Sequence, residues 1–536
     1  MTICPGKICH APYGIHQRDL EADLEVIRAW GAEILVSLIE EQEYDEYGVG
    51  AMGLMIPEGI RHIKLPIRDM DIPDARWERQ WASVGPEIRG VLRRGGRVCV
   101  HCLGGLGRTG TVAAQLLVEF GMDPVQAIRE VRTARPGTIQ TQAQERYVYS
   151  FESVWRKFDK ARACLLAGAC GDALGATVEF IDRGEILALF GPEGIHDMVD
   201  NDYGAAGKIT DDTQMSLFTA EGLTRAEVRG RTRGVSSYEG CIHHAYLRWL
   251  HTQGFKVPVE GFKPDGWLIG NKELFHQRAP GNTCLESLRK AEGLGLPEKA
   301  NNFKKGCGGV MRAAPVGLFM AALRGADEER RRLAFSIGCA SARLTHGHPS
   351  GYLSAGALSV IIYDLVLGHD LAESIARAIS CLEEEEGSGE TIGKLRDTLR
   401  LAAGTNAVSE CIEKLGQGWV GEEALAIAVF CALRAKNLED GICMAVNITG
   451  DSDSTGSITG NILGALYGCG AIPARWLDLL ELKDTIHEIA EDLIFIHDST
   501  LSTQGPLPPN DDKSGRLSYQ LSQKESDWWF ERYPGW

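Results

Sequence analysis

Residues 97–111, RVCVHCLGGLGRTGT, run an apolar strand into Cys102 and, after five intervening residues, reach Arg108, with glycines at 104, 105 and 107. A turn of this composition at a helix start lets successive backbone N–H groups converge on an anion, backed by the positive end of the helix dipole. The same field favours thiolate over thiol, which makes Cys102 a nucleophile at neutral pH. Arg108 offers a two-pronged donor to phosphoryl oxygens, and the Thr109 hydroxyl can donate to the departing sulfur. Leu103, Gly104, Gly105, Leu106 and Gly107 then form the anion cradle. A single cysteine is ordinarily a small buried hydrophobe; the combination of strand, Cys, five residues, Arg and helix is what points to phosphoryl transfer.

A second kind of chemistry is written in two acidic motifs about 240 residues apart, KITDDTQMS around Thr210, Asp211 and Asp212, and ITGDSDSTGS around Asp451, Asp453 and Ser454. Carboxylates and hydroxyls are the donors hard divalent cations prefer, and neither motif adds the Cys or His of a zinc site, so Mg²⁺ or Mn²⁺, as a pair, is the expected cofactor. Either motif alone reads first as a helix N-cap. Spacing does not show that the two meet.

The elements around these residues differ in character. EILVSLIE, IRHIKLPI and RVCVHC are short apolar strands alternating with helical patterns such as PVQAIREVRTA and QAQERYVYSFESVWRKF. That rhythm predicts an α/β domain over residues 1–158, with a mostly parallel sheet flanked by helices. From about residue 161 small-residue segments recur, among them ACLLAGACGDALGA, SAGALSVIIYDLVLG and SITGNILGALYG. They predict an all-α domain of closely packed helices over 161–499. Residues 500–536, with QGPLPPNDDKSG and then SDWWFERYPGW, are expected to be an irregular tail whose tryptophans pack back onto the body.

A net charge of −17 over 536 residues offers no general attraction to a polyphosphate backbone, which argues against nucleic acid as the main partner. No stretch approaches the roughly 18 uninterrupted apolar residues of a membrane span, so no membrane partner is expected. The early charges of the N-terminus do not suit a signal peptide. Fifteen cysteines, an odd number scattered through both halves, fit a reducing compartment better than a disulfide framework, and a cytoplasmic location is expected.

HCLGGLGRTGT resembles the phosphate-binding loop of the protein-tyrosine and dual-specificity phosphatases, and within them is most similar to cyclin-dependent kinase inhibitor-associated phosphatases. The resemblance implies catalysis through a phosphocysteine, with no cofactor in this domain. It also implies an aspartate general acid in PIRDMDIPD, where Asp69 aligns best and Asp71 and Asp74 less well. IQTQAQERY matches the family's QTxxQ pattern, which gives Gln140 and Gln144 the task of orienting the hydrolytic water.

ACGDALGATVEF, KITDDTQMS, GNTC, GCGGVMRAAP, LTHGHP and GDSDSTGSITGNILGALYG occur in the order seen in the ADP-ribosylglycohydrolases, with dinitrogenase reductase-activating glycohydrolase most similar. The resemblance implies an all-α fold and a dinuclear Mg²⁺ or Mn²⁺ site with Thr210, Asp211, Asp212, Asp451 and Asp453 as ligands. Ser454 stands where many members have threonine. Glu179 matches a mobile glutamate that ligates a metal or positions the attacking water. Gly306, Cys307, Gly308, Gly309 and Met311 line the ADP-ribose cleft, and His346 corresponds to a substrate-contacting histidine, although a His after Thr is more often a capping or packing residue. One departure stands out: before GNTC the nitrogenase-linked members carry an aspartate facing the leaving group, whereas this chain has Ala279.

These readings describe a bifunctional hydrolase. Its first domain acts on a phosphoprotein or small phosphate ester and its second on an ADP-ribosylated protein or nucleotide. Two alternatives are that both domains process one small phosphorylated ADP-ribose-like nucleotide, or that one domain is a non-catalytic binding module.

Overall fold

The structure is a computed structural model that describes residues 1–11, 14–293, 299–323, 325–500, 519–520 and 523–534. The chain divides into two compact units, Met1–Trp155 with Pro508–Leu521, and Arg156–Leu507 with Ser522–Trp536.

In the first unit four strands form a parallel sheet in the spatial order Thr2–Ile3, Arg97–Cys102, Ala32–Ser37, Arg61–Lys64. The three apolar runs read from the sequence are three of these strands. Thr2–Ile3 was too short to stand out; it joins in register, Ile3 opposite Cys102. Alternation along Ala32–Ser37 explains the two-sided core. Ile34 and Val36 face a cluster with Trp77, Trp81, Val100 and Val112, while Leu35 packs with Leu24, Ile27 and Cys99 on the other side. Strand Arg97–Cys102 thus has a covered sheet around it and ends, at its carboxyl end, at the loop that starts helix Gly107–Glu119.

The second unit is helical. Its small-residue segments are explained by one crossing, where helices Gln142–Gly175 and Ser452–Tyr467 approach backbone to backbone. A Cβ on Gly171 would lie 2.1 Å from the Gly456 carbonyl oxygen, and one on Gly460 would lie 2.1 Å from that of Ala167. Any larger side chain would push the helices apart and separate Asp172 from Asp453. Helix Gln142–Gly175 is a single element, where the sequence pattern read two separate helical segments.

Helix Pro349–Leu367 has the length and hydropathy of a membrane span, yet 94% of its apolar window is buried inside the protein. Among the residues expected to be an irregular tail, Gln523–Arg532 forms a helix. Trp529 stacks on Phe495, and Tyr533 donates a hydrogen bond of 2.6 Å to Asp492. QGPLPPNDDKSG lies outside the described residues.

Candidate active sites

At the end of strand Arg97–Cys102 the chain turns sharply, and Gly105 takes φ +67°; a Cβ there would lie 2.3 Å from the Thr2 carbonyl oxygen. Only glycine fits that turn without strain. Cys102 is buried at the strand end, and helix Gly107–Glu119 begins at the far side of the loop. Gly104 and Leu106 complete the turn, and Leu103 packs with Cys4, Ile39 and Tyr44 behind it. Arg108 is held by a residue the sequence reading missed. Its Nη1 and Nη2 donate to the two carboxylate oxygens of Glu43 at 2.8 and 3.0 Å, and Nη1 also donates to the Ile67 carbonyl at 2.9 Å. Its buried Nε has no partner, and neither does the buried hydroxyl of Thr109. The guanidinium is therefore fixed on one edge and retains a free donor for an anion.

Asp69 reaches this arginine, with Oδ1 3.0 Å from Nη2. Of the other two candidates, Asp74 caps helix Ala75–Arg93 by accepting from Trp77 N at 2.8 Å, and Asp71 accepts from Ile72 N. The loop between them is bent at Met70, φ +60°. Gln140 and Gln144 both lie over Gly107, their amide atoms 2.8 and 3.1 Å from where its Cβ would be. Gln144 also donates to the Asp71 carbonyl at 3.1 Å, tying the aspartate loop to the anion loop. Behind the nucleophile, His101 Nε2 meets Ser37 Oγ at 2.6 Å, and Ser37 Oγ meets His62 Nε2 at 2.8 Å. Burial drives the His101 imidazole down to about 3, with a hydrogen bond to the Cys102 backbone opposing it.

In the second unit both acidic motifs cap helices, and they also converge. Thr210 is the N-cap of Asp211–Arg233 and Asp451 that of Ser452–Tyr467. Thr210 Oγ1 donates to Asp172 at 2.8 Å and lies 3.2 Å from Asp453, and Ser454 Oγ lies 3.3 Å from Asp212. Asp211 accepts from Gly281 N of the GNTC segment at 3.1 Å. Asp172, which the sequence reading passed over inside ACGDALGATVEF, is fully buried and also accepts from the backbone N–H groups of Thr210 and Thr213. It fixes the start of helix Asp211–Arg233.

Six carboxyl groups, those of Asp172, Glu179, Asp211, Asp212, Asp451 and Asp453, are thereby buried together, and among the described residues no Lys or Arg makes an ion pair with them. Burial raises all six. The Asp453 charge adds to that for Asp172, lifted to about 7, for Glu179, lifted to about 10, and for Asp212. Asp212 Oδ1 and Glu179 Oε2 are buried with no donor. Acceptor oxygens of one sign, desolvated and unneutralised, require protons or cations. The donor set of carboxylates with Thr and Ser hydroxyls suits a hard divalent cation. Among the described residues no group of three or more His, Cys, Asp and Glu side chains is placed to hold a metal ion.

The Gly-rich segment lies beside this cluster. Gly306 bridges to Val420, residues Cys307–Gly309 form a single 3₁₀ turn, and Met311 Sδ lies 3.9 Å from Ser454 Oγ. Cys307 Sγ is 2.7 Å from Asp451 Oδ2, so a cysteine does stand at the acidic motifs, contributed by a third segment. His346 is 1% exposed, bonded to Thr345 Oγ1 at 2.8 Å, and lies against Gly306 and Gly308. In this position it supports the segment from beneath, the packing role a histidine after threonine usually has. Arg312, also missed, is buried below the same segment, stacked 4.3 Å from the centroid of Tyr246 and bonded to Thr345 Oγ1 at 2.7 Å. Beside Glu179, the exposed ring of Phe180 stacks on Trp419 with centroids 6.3 Å apart.

The sites and their folds place the protein among hydrolases of two classes, a dual-specificity-type phosphatase region and an ADP-ribosylglycohydrolase region. The ADP-ribosylglycohydrolase family matches residues 155–501, and the chain belongs to that family. Residues 12–148 match the phosphatase family described as "Swiss Army Knife protein, DSP-PTPase phosphatase domain". Among curated relatives, the ADP-ribosylarginine hydrolase Tri1 of Pseudomonas putida is 27% identical over 342 residues, covering 62% of this chain and 78% of that protein. The ADP-ribosyl-[dinitrogen reductase] glycohydrolase of Rhodospirillum rubrum is 26% identical over 335 residues, 61% of this chain and 91% of that one. A solved kinase associated phosphatase is 28% identical, covers 28% of this chain and 82% of its own, and superposes with a TM-score of 0.25.

Proposed function

We propose that the first unit hydrolyses phosphate esters through a phosphocysteine and that the second cleaves the glycosidic bond of an ADP-ribosylated target with divalent-cation assistance. In the first unit Cys102 Sγ attacks phosphorus in line with the ester oxygen. The loop N–H groups and Arg108, whose Nε is unpartnered, receive the equatorial oxygens, and Asp69 protonates the leaving oxygen. Water, held by Gln140 and Gln144, then attacks the phosphocysteine and gives its proton to Asp69, while Thr109 donates to the departing sulfur. Glu43 keeps the guanidinium in place throughout.

In the second unit the observation that carries the proposal is the buried, unneutralised acidic cluster assembled from residues far apart in sequence. Thr210, Asp211, Asp212, Asp451, Asp453 and Ser454 would hold Mg²⁺ or Mn²⁺, which when bound supplies Lewis-acid polarisation at the ribose. Glu179 takes the proton of the water that attacks the anomeric carbon. The backbone of Gly306–Met311 allows close approach of a pyrophosphate, and the exposed Phe180–Trp419 pair offers a ring face to a base. The names of the relatives put ADP-ribosylated targets first among substrates, with ADP-ribosylarginine named for Tri1. Arginine-linked ADP-ribose is disfavoured here, because Ala279 supplies no charge to a guanidinium.

The test uses one preparation of the full chain. With Mn²⁺ present it should release ADP-ribose from an ADP-ribosylated protein, and acid quenching during turnover of a phosphate ester should leave phosphate on the peptide containing Cys102. Absence of free ADP-ribose across arginine-, serine- and nucleotide-linked substrates would reject the second activity. Phosphate release with no labelled Cys102 peptide, under quenching fast enough to trap it, would reject the covalent route.

A further inference from the structure

Cys307 stands apart from the hard oxygen donors it accompanies. Its Sγ lies 2.7 Å from Asp451 Oδ2, and Ser454 and Asp212 are its other polar neighbours. Ser454 Oγ in turn lies 3.3 Å from Asp212 Oδ2, while Asp212 Oδ1, in a side chain 2% exposed, has no hydrogen-bond partner. A sulfur, a bonded carboxylate and an unpartnered buried carboxylate oxygen thus share one small region, and they come from three different segments of the chain.

Position makes the thiol hard to explain as packing. The turn Cys307–Gly309 follows Gly306 and contains two glycines, and its backbone is tied to Trp419 through the bond from Cys307 N to the Trp419 carbonyl at 3.2 Å. Another partly exposed cysteine, Cys469, donates instead to the Asp159 carbonyl oxygen, away from the acidic cluster's side chains.

We infer that Cys307 is a soft donor built into the cation site, so that the site accepts zinc-class divalent cations through sulfur as well as Mg²⁺ or Mn²⁺ through oxygen. The inference rests on the proposed metal function of Asp212 and Asp451. Thiolate favours borderline and soft cations over hard ones, and zinc is bound by Cys and Asp together. When such a cation binds, the S–H bond breaks, an S–metal bond forms, and the proton passes to solvent; no electron changes hands. With Mg²⁺ or Mn²⁺ the thiol stays protonated and bonded to Asp451. Zinc-class cations would then compete for the site and displace the cation the hydrolase uses, a form of regulation tied to this one side chain.

Cadmium is the probe, because a cadmium–thiolate bond has an ultraviolet charge-transfer band and hard-cation binding has none. The metal-free full chain is titrated with CdCl₂, and with MnCl₂ followed by the loss of the free Mn²⁺ resonance, for the wild type, for Cys307→Ser, which changes one atom, and for Asp212→Asn with Asp451→Asn. The wild type should show a band that Cys307→Ser lacks and that excess Mn²⁺ suppresses. The preference for Cd²⁺ over Mn²⁺ should fall about tenfold or more in Cys307→Ser. Mn²⁺ binding without any Cys307-dependent band overturns the inference and leaves the metal-dependent function standing. A Cys307-dependent band that survives loss of both carboxylates also overturns it, because the thiol then binds alone. No binding of either ion to the wild type removes the metal reading itself.

Discussion

The two sites solve opposite electrostatic problems. In the phosphatase unit the ligand is an anion, and the chain supplies the countercharge itself: loop N–H groups, a helix start and Arg108, with Glu43 bonded to the guanidinium at 2.8 and 3.0 Å. In the glycohydrolase unit six buried carboxyl groups gather with no Lys or Arg ion-paired to them among the described residues. One site is charge-balanced before its ligand arrives, whereas the other is completed only from outside. That difference teaches which site should depend on added metal and which should not, and it predicts that damage to one leaves the other intact.

The largest effects follow from exchanging the damage. Cys102→Ser should reduce phosphate release to background and leave ADP-ribose release unchanged, since a neutral hydroxyl does not replace a thiolate. Asp453→Ala should do the reverse and also lose bound Mg²⁺ or Mn²⁺. Both activities, assayed side by side with metal content, check the pair; a phosphatase that survives Cys102→Ser breaks the nucleophile assignment.

Next in size is the general acid. Asp69→Asn should slow phosphate release by about 10² to 10⁴, more for alkyl esters than for aryl esters, whose leaving groups need less protonation. Asp71→Asn and Asp74→Asn should lack that dependence, because Asp74 is committed to a helix cap and Asp71 to its neighbouring backbone N–H. A leaving-group series on the three variants distinguishes them.

A smaller effect is expected at the leaving-group side of the glycohydrolase. Ala279 has φ +49°, a conformation that Asp and Asn tolerate better than Ala. Ala279→Asp should therefore be accommodated, and should raise turnover of ADP-ribosyl-arginine relative to O-linked ADP-ribose. A charged hydrogen-bonded pair contributes about 1.5–3 kcal/mol. Strong preference for ADP-ribosyl-arginine in the unaltered chain would mean another residue binds the guanidinium.

Smallest is a stability effect confined to the phosphatase unit. His101 is held neutral, its imidazole lowered from 6.5 to about 3 by burial. The unfolded chain takes up a proton that the folded one refuses, so its contribution is present above 6.5 and lost as pH falls from 6.5 towards 3. At pH 5 the loss is about 2 kcal/mol. Urea unfolding of this unit, followed by peptide-level hydrogen exchange at pH 5 and pH 7, should show that loss reduced in His101→Asn.

The comparison also explains what the sequence made legible. The phosphatase loop is local: strand, nucleophile, glycines, arginine and helix are contiguous, so their geometry follows from the order of residues 97–119. Glu43, by contrast, sits in the acidic run EEQEYDEYG, where nothing distinguishes it from solvated surface. In the second unit the small residues announced close helix packing, but only the crossing at Gly171, Gly456 and Gly460 shows why Asp172 and Asp453 meet. Asp172 was visible as a lone acid in the otherwise apolar segment ACLLAGACGDALGA, a signal of a buried, bonded carboxylate. Cys307 and Asp451, 144 residues apart, had no such signal. The helix Gln523–Arg532 was hidden by aromatic residues and by its setting after a Pro- and Gly-containing stretch; its tertiary partners Phe495 and Asp492 stabilise it.

The measurement that bears most directly on two opposite sites is chelation of one preparation assayed for both reactions. After removal of divalent cations, ADP-ribose release should vanish and phosphate release should stay at its starting rate; re-adding Mg²⁺ or Mn²⁺ should restore the first without changing the second. Full ADP-ribose release from the chelated protein, or equal loss of both activities, would contradict the account.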